Sequence, residues 1–308
     1  MKYMGIIWAC MVCLFTACDV HEWPENMENT SQSGQVNSLL RIKLAFRTDM
    51  DEMGFPYESR SSDEYEMRYT LKAFPLVEGD QTLSETAVWE HSFTRSVSMN
   101  DYDCEVEVNI PKGRYNVMVW ADYVGKSTDT PLFYNISNFT EIALSGEYRG
   151  GTDFRDAFRG GGKFDNRKNS ITDITIDMSR PLAKFEIIAV DFEQFLSQNE
   201  GMDLSDCQLI VHYDDMIPCS YNMFTDKWVD TRDDVSFETK LEKINDSETS
   251  LGFDYVFMDR EEMNIPITIS LRDKSGNVLF VSSSIDVPLK RGQYTIVGGE
   301  FFTHDDNP

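Results

Sequence analysis

Few residues of this sequence have the types and spacing that a reaction or a bound nucleotide requires. Residues 124–128 (VGKST) contain the Gly-Lys-Ser core of a phosphate-binding loop. That loop needs another glycine five positions before Gly125, where Trp120 stands. Residues 160–163 (GGGK) have neither the required spacing nor a Ser or Thr after the lysine. The sequence therefore predicts no nucleotide partner.

Candidate metal ligands are also sparse. The histidines lie far apart in the sequence, at His21, His91, His212 and His304. None has the spacing of a His-Glu-x-x-His site. Residues 101–105 (DYDCE) begin like a calcium loop, but Val106 stands at the sixth position, where the sharp turn requires glycine. We expect no metal site, although the acidic pairs at residues 214–215 and 233–234 leave calcium open as an alternative.

No motif indicates an enzyme. The Gly-x-Ser-x-Gly elbow of a serine hydrolase is absent from the sequence. A carboxylate pair for glycoside cleavage cannot be chosen among 53 acidic residues without a fold. We therefore expect no catalytic residues, no cofactor and no enzymatic activity.

Cys18 is the residue with the most specific covalent chemistry. The uncharged residues 4–17 follow Lys2 and are fewer than the roughly 20 that a spanning helix needs, a pattern typical of a secretory signal. The end of this stretch resembles the lipobox of bacterial lipoproteins, although Phe15 replaces the usual leucine and Leu14 is displaced by one. The resemblance implies a signal peptide at residues 1–17 and a lipid, such as palmitate, on Cys18. The alternative is an ordinary cleaved signal in which Cys18 has no special role.

The net charge limits the partners of the protein. The chain has 28 basic and 53 acidic residues, a formal charge of −25. A field of that sign repels phosphate backbones, so we expect no nucleic-acid partner. It also repels anionic membranes, so only the lipid on Cys18 would hold the protein at a membrane. Asp19 and Glu22 resemble the acidic export tag of some Gram-negative anaerobes, which implies an outer-membrane location at the cell surface.

The body of the chain has the period of β-strands. Leu40, Ile42, Leu44 and Phe46 alternate with other residues, as expected for a strand buried on one face. Similar alternation predicts further strands at residues 67–73, 104–110, 115–119, 171–178, 183–190, 208–213, 265–272, 278–285 and 294–302. Residues 111–113 (PKG) predict a hairpin turn, residues 153–159 and 191–198 predict short helices, and the loop around residues 159–163 is expected to be mobile. Many strands with few helices predict an all-β fold of sandwiches.

The strand pattern also suggests a division into domains. Proline in residues 178–181 (MSRP) separates two runs of strands. We predict a flexible lipidated tether at residues 18–36 and β-sandwich domains at residues 37–178 and 179–308. Three cysteines follow Cys18. Cys207 and Cys219 are close enough to form a disulfide across neighbouring strands, the alternative being buried free thiols, and Cys104 is expected in a core.

Several stretches together resemble the fimbrillin-like lipoproteins of Gram-negative anaerobes, in particular the anchor-subunit family of fimbriae. They are residues 18–25 (CDVHEWPE), 177–187 (DMSRPLAKFEI), 217–227 (IPCSYNMFTDK) and 285–302 (IDVPLKRGQYTIVGGEFF). The resemblance implies two tandem transthyretin-like, Greek-key β-sandwiches. Residues 153–160 (DFRDAFRG) resemble a subgroup whose function is unassigned.

The resemblance also implies a mode of assembly. Shaft subunits of this family polymerise by donating a strand to the next subunit. The last alternating run ends at Phe302, so we expect this chain to accept a strand from a fimbrial subunit and to end the fibre at the outer membrane. Shaft subunits are also cleaved after an arginine in an early loop. Arg60 has that position, and we expect an anchor to leave it intact.

Another class of function stays open. A surface lipoprotein without a fimbrial partner could bind glycans or host molecules through exposed aromatic rings. The candidates are Trp89, Trp228 and Tyr123, each of which could instead be a core residue of a sandwich. A coplanar row of exposed rings would favour this alternative.

Overall fold

The computed structural model describes residues 36–46, 65–76, 83–96, 103–126, 131–199, 202 and 207–303. The chain divides into two compact units, Met1–Val36 and Asn37–Pro308. All the elements below belong to the second unit. Among the described residues, no helix has the length and apolar character needed to cross a membrane.

The described part of the first half of the second unit contains nine strands. They are β1 (Asn37–Phe46), β2 (Tyr65–Pro75), β3 (Trp89–Arg95), β4 (Cys104–Pro111), β5 (Arg114–Gly125), β6 (Tyr134–Asn135), β7 (Ile142–Leu144), β8 (Ala157–Asp165) and β9 (Ile171–Met178). A single 3₁₀ turn, Asp153–Arg155, precedes β8.

The second half contains the described α-helix, α1 (Phe192–Gln198), and thirteen strands. The strands are β10 (Leu182–Ala189), β11 (Cys207–Tyr213), β12 (Ile217–Pro218), β13 (Ser220–Asn222), β14 (Lys227–Trp228), β15 (Thr231–Arg232), β16 (Ser236–Thr239), β17 (Glu242–Lys243), β18 (Thr249–Phe257), β19 (Glu262–Asp273), β20 (Val278–Val281), β21 (Ile285–Lys290) and β22 (Tyr294–Gly299). The all-β fold class predicted from the sequence is confirmed.

Sheets A and B contain the described strands of the first half except β6 and β7. Sheet A has the order β4-β1-β9 and sheet B the order β3-β2-β5-β8. Leu40, Ile42 and Leu44 are buried on the inner face of β1, whereas Arg41 and Lys43 between them are exposed, as the alternation predicts. β1 is antiparallel to β4 and parallel to β9, so it is the central strand of its sheet.

Two further sheets form the second half. Sheet C has the order β17-β18-β10-β22, and sheet D has the order β16-β11-β19-β20 with β21 also pairing with β19. In each half the first strand lies parallel to the last one, β1 with β9 and β10 with β22. The boundary predicted at residue 178 falls between these two sets of strands. Because residues Asn37–Pro308 form one compact unit, the division into two domains stays a prediction.

The core has three parts. The buried members of one cluster lie in the first half and those of another lie in the second half, where Tyr148 of the first half also packs against them. The third joins the halves, since Trp120 and Tyr134 from the first half pack with Tyr221 and Phe257 from the second. Two small sheets, β14-β13-β7-β6 and β12-β15, lie beside these clusters.

Several local predictions are wrong. The turn at residues 111–113 does not close a hairpin, because β4 lies in sheet A and β5 in sheet B, so the turn crosses between layers. Residues 159–163 are part of strand β8 rather than a mobile loop. The strand predicted at residues 278–285 is interrupted after Val281, because Ser282–Ser284 separate β20 from β21. Only Asp153–Arg155 of the helix predicted at residues 153–159 is helical, whereas α1 confirms the helix near residue 192.

Candidate functional site

A group of ion pairs, several of them buried, is centred on residues 153–159. Four charged side chains of this segment pair with partners in the second half of the chain. The ion pairs are Asp153–Lys184, Arg155–Asp254, Asp156–Arg180 and Arg159–Asp226. We call this set the ion-pair ladder. It connects the halves through charge, next to the shared apolar cluster that connects them through packing.

Three of the four pairs of the ladder are buried, and only Arg159–Asp226 is partly exposed. Arg180 is 2% exposed and Asp156 is 0% exposed. The Arg180 guanidinium binds both carboxylate oxygens of Asp156, with Nε–Oδ1 and Nη2–Oδ2 distances of 2.8 Å each. Its plane also lies over the Phe158 ring, 4.6 Å from the centroid. Burying charges has a large desolvation cost, which only such bidentate, additionally supported geometry can offset.

Asp254 is the best-satisfied carboxylate of the ladder. It accepts hydrogen bonds at 2.5 Å from Arg155 Nη1 and at 2.6 Å from the hydroxyls of Tyr148 and Tyr213. The backbone N–H of Tyr255 donates a further bond of 2.8 Å. Burial, followed by the negative charge of Asp254, raises the pKa of the Tyr213 hydroxyl well above its usual value. Both tyrosines therefore stay protonated and keep donating to Asp254.

An open polar cleft of about 490 Å³ adjoins the ladder. Most of its wall residues belong to four of the five stretches that resemble fimbrillin-like proteins or their subgroup, residues 153–160, 177–187, 217–227 and 285–302, and Gly161 directly follows the first of them. The wall residues are Arg159, Gly160, Gly161, Asp177, Ser179, Arg180, Asp226, Glu261, Arg291, Gly292 and Gln293. Stretches that are far apart in the sequence thus meet at one place in the fold.

Asp226 organises the cleft. It accepts hydrogen bonds from Arg159 Nη2 and Arg291 Nη2, both at 2.5 Å, and from the Tyr221 hydroxyl. Burial alone would raise the pKa of Asp226, but the bonds from Arg291 and Tyr221 outweigh it and lower the pKa below its usual value. Its backbone has φ 59°, a left-handed conformation that aspartate tolerates in a turn. The carboxylate is therefore held between two guanidinium groups.

Gly160, in the wall of the cleft, allows strands β8 and β9 to pass close to each other. A Cβ on Gly160 would lie 2.8 Å from the backbone oxygen of Asp177 and 2.6 Å from Ile176. Since real Cβ atoms do not approach that closely, β8 can pass β9 at this spacing only with glycine there. The glycine run that resembled a phosphate loop is thus explained by strand packing.

The chemistry available in this cleft is ionic binding. Asp226 and Asp156 are bound by guanidinium groups, so neither is set up as a general base. Within the described segments, no three His, Cys, Asp or Glu side chains are grouped as a metal site. The acidic pairs at residues 214–215 and 233–234 are exposed.

The lipidation site and the candidate processing site cannot be placed. Cys18 and Arg60 lie outside the described residues, so lipidation and processing stay predictions. Cys104 is buried in the first core, as expected.

The disulfide considered between Cys207 and Cys219 is not formed in this structure. Cys207 begins β11 in sheet D, whereas Cys219 lies between β12 and β13, which belong to the small sheets. The two thiols are therefore not on neighbouring strands. Burial, helped by nearby Asp230, raises the pKa of the Cys219 thiol.

The aromatic candidates for glycan binding differ in exposure. Tyr123 is buried in the first core, so it is a core residue. Trp89 and Trp228 are half-buried. Trp89 begins a row of rings on β3, in which its ring lies 6.0 Å from that of His91 at 20°, and the His91 ring lies 5.8 Å from that of Phe93 at 35°.

Sequence reasoning missed the ion-pair ladder and the cleft. The available signal was the alternation of acid and base in residues 153–159 (DFRDAFR), which was interpreted as a short helix. Charged side chains that point to both sides of an extended segment need partners on both sides. A strongly charged segment between two strand runs could therefore have been interpreted as a junction.

The fold and this cleft define an all-β protein of two sandwich-like halves joined by buried ion pairs. The chain belongs to a family of unknown function, DUF6562, whose model matches residues 33–308. No curated protein sequence matches it.

The chain is also similar, at low scores, to several solved structures. One is the fimbrial anchor protein Mfa2 from Porphyromonas gingivalis, with 14% identity and a TM-score of 0.42 over 79% of this chain and 82% of that one. Another is a fimbrial assembly protein from Parabacteroides distasonis, with 12% identity and a TM-score of 0.40 over 87% and 92%. A third, described as a candidate polysaccharide-binding protein of Bacteroides thetaiotaomicron, has 14% identity and a TM-score of 0.44 over 79% of each chain. The resemblance to a fimbrial anchor that the sequence indicates is confirmed as a similarity between structures. Similarity at these scores does not assign a function to this chain.

Proposed function

We propose that the protein is a cell-surface lipoprotein that serves as the anchor or an accessory subunit of a fimbrium. In this role it accepts a strand from a partner subunit and ends the fibre at the outer membrane. The observation that carries the proposal is that β1, the first described strand, is hydrogen-bonded between β4 and β9, in a half of the chain that the ion-pair ladder joins to the second half. The sequence motifs of the anchor-subunit family support the same role.

An anchor has to transmit tension between its lipid and its partner. β1 is bonded along eight residue pairs to β4 and along eight to β9. From these sheets, load passes into the second half through the shared apolar cluster and the ladder. Buried bidentate ion pairs have strict geometry, so they resist sliding of the halves better than apolar contacts alone would.

We also propose that the protein is not an enzyme. The cleft contains no nucleophile hydrogen-bonded to a base among the residues described, and its central carboxylates hold arginines. These arginines connect the halves of the fold. Such an arrangement suits a structural role.

The lipid anchor is tested by replacing Cys18. Cells that produce Cys18→Ala and are fed an alkyne palmitate should give unlabelled protein, whereas Cys13→Ala, a matched change within the apolar stretch, should keep the label. Surface exposure is measured by protease treatment of intact cells. Label retained on Cys18→Ala would contradict lipidation at this residue.

The fimbrial role is tested by affinity capture of the native protein from surface extracts after mild crosslinking. We expect a fimbrial subunit in the eluate. Deletion of the gene should release fimbriae into the medium, because their membrane end is lost. Fimbriae that stay attached in the deletion strain would contradict the anchor role.

A second candidate function, glycan binding, would use the aromatic row of Trp89, His91 and Phe93 on β3, although these rings are half-buried and Trp89 and Phe93 also pack against the first core. Rings spaced along a half-buried strand can stack on successive sugar units. Trp89→Ala should then abolish binding on a glycan array, while Trp228→Ala, which changes a half-buried tryptophan outside the row, should not. Equal binding by both variants would contradict this function.

A further inference from the structure

The free edge of sheet C is built differently from the other sheet edges. Strand β22 pairs with β10 along six residues without a bulge and is the last strand of sheet C among the described residues. Its sequence, Tyr-Thr-Ile-Val-Gly-Gly, contains no charged residue and no proline. Ile296 in its middle is 56% exposed. An uncharged, regular edge is a template for pairing with another strand.

The backbone groups of β22 that face outward can be assigned. Lys184 N–H donates to Gln293 O at 3.0 Å, and Val190 N–H donates to Gly299 O at 3.0 Å, so both of these acceptors point towards β10. Backbone groups alternate in direction along a strand. The N–H and C=O groups of Tyr294, Ile296 and Gly298 therefore point away from sheet C.

Other edge strands in the described parts of the chain carry features that discourage pairing. Charged residues interrupt β3, β4, β8, β9 and β21. Strand β20 is uncharged, but it has only four residues and a bulge opposite Leu271 and Arg272. Charges, bulges and short length are the usual protections of a sheet edge. Among the described edge strands of five or more residues, β22 alone lacks charged residues, a bulge and short length.

We propose that the outer side of β22 is a docking edge for an extended segment of a partner protein. The segment is neutral or basic, presents its backbone to Tyr294, Ile296 and Gly298, and places an apolar side chain against Ile296. This inference rests on the proposed function, since it locates where the chain accepts a strand.

Charge decides between a partner and a second copy of this chain. Two copies at −25 each repel each other. A neutral or basic segment meets no such repulsion and gains from the field of the acidic chain. The occupant is therefore a different protein.

The test places a photo-crosslinking amino acid at position 296 or at position 278 of the full chain in its host. Val278 is the matched control, because it is 55% exposed and lies on the other uncharged edge strand, β20. We expect position 296, and not position 278, to crosslink to one peptide of a surface protein. In a second arm, Ile296→Lys should reduce capture of that protein by at least about tenfold, whereas Val278→Lys, with the same change of charge, should not.

Each outcome decides between the alternatives. Capture of a fimbrial subunit that Ile296→Lys leaves unchanged would overturn the docking edge while the proposed function stands. Failure of the unmodified chain to capture any fimbrial subunit would overturn the proposed function as well. Crosslinks from position 296 to a second copy of this chain would overturn the choice of occupant. Circular dichroism of the two lysine variants should be unchanged, because both positions are exposed.

Discussion

Asp156→Ala should be among the most destabilising single substitutions in the ion-pair ladder. The change removes a fully buried carboxylate that binds Arg180 through two contacts of 2.8 Å and leaves the guanidinium in a site where it is 2% exposed. Breaking a buried pair by removing one partner costs roughly 3–5 kcal/mol, because the remaining charge loses its compensation. We expect Asp156→Ala to lower the free energy of unfolding by about that amount.

The matched control is Asp165→Ala, which breaks an ion pair with Arg167 at the same distance of 2.8 Å. There the two side chains are 44% and 49% exposed, so solvent screens the pair and the loss should be much smaller than for Asp156→Ala. A second variant separates lost charge from lost packing. Asp156→Leu combined with Arg180→Met should recover most of the stability, since well-packed apolar replacements of buried pairs are often neutral.

The assay is urea unfolding of the purified chain at pH 7, followed by tryptophan fluorescence and by circular dichroism. Coincident transitions with both probes are required before free energies are compared. A loss from Asp156→Ala that is no larger than the loss in the control would refute the view that the ladder joins the halves.

Two further predictions concern neighbouring strands. Burial raises the pKa of Asp122 to about 6 although its partner Arg68 opposes the shift, so the folded state binds this proton more tightly than the unfolded state, whose value is 3.8. The contribution of Asp122 to the free energy of unfolding should therefore grow as the pH falls from about 6 to about 4. Asp122→Asn should remove this pH-dependent contribution from unfolding curves measured at pH 4–7. An unaltered pH dependence would contradict the prediction. Gly160→Ala should lower the free energy of unfolding by about 1–3 kcal/mol, because its Cβ would meet the Asp177 backbone oxygen at 2.8 Å. Gly161→Ala, whose Cβ would have its nearest contact at 3.5 Å, should lower it by under about 1 kcal/mol in the same unfolding assay. Equal losses would show that the spacing of β8 and β9 is adjustable.

Much of the fold follows from local periodicity. The alternation of Leu40, Ile42 and Leu44 indicates a strand without knowledge of its partners, and β1 covers those residues. Sheet order is not local. The turn at Gly113 is compatible with a hairpin or with a crossing between sheets, and only the inner faces of both sheets decide which is formed. A single sequence contains no signal for that choice.

The ladder was hidden for a related reason. Arg155 and Asp254 are 99 residues apart, and Asp156 and Arg180 are separated by two strands. Among 53 acidic and 28 basic residues, pairing is undetermined until the strands have positions. The glycines of β8 were likewise interpreted as a loop, because glycine lowers strand propensity, whereas here tertiary packing overrides propensity.

The central position of β1 in sheet A gives a physical reason for the prediction that the chain is not cleaved after Arg60. Leu40, Ile42 and Leu44 of β1 are buried in the first core, and β1 is bonded on both sides. Tension applied at the start of β1 acts along the strand, so the backbone hydrogen bonds of β1 to β4 and β9 resist it together rather than one at a time. Cleavage after Arg60 would leave β1 joined to the fold only by these non-covalent contacts. A protein that holds a fibre to a membrane through residues 18–36 therefore needs the chain between β1 and β2 to stay intact, and the surface-exposed form should begin at Cys18 rather than at Ser61 when its amino terminus is analysed by mass spectrometry.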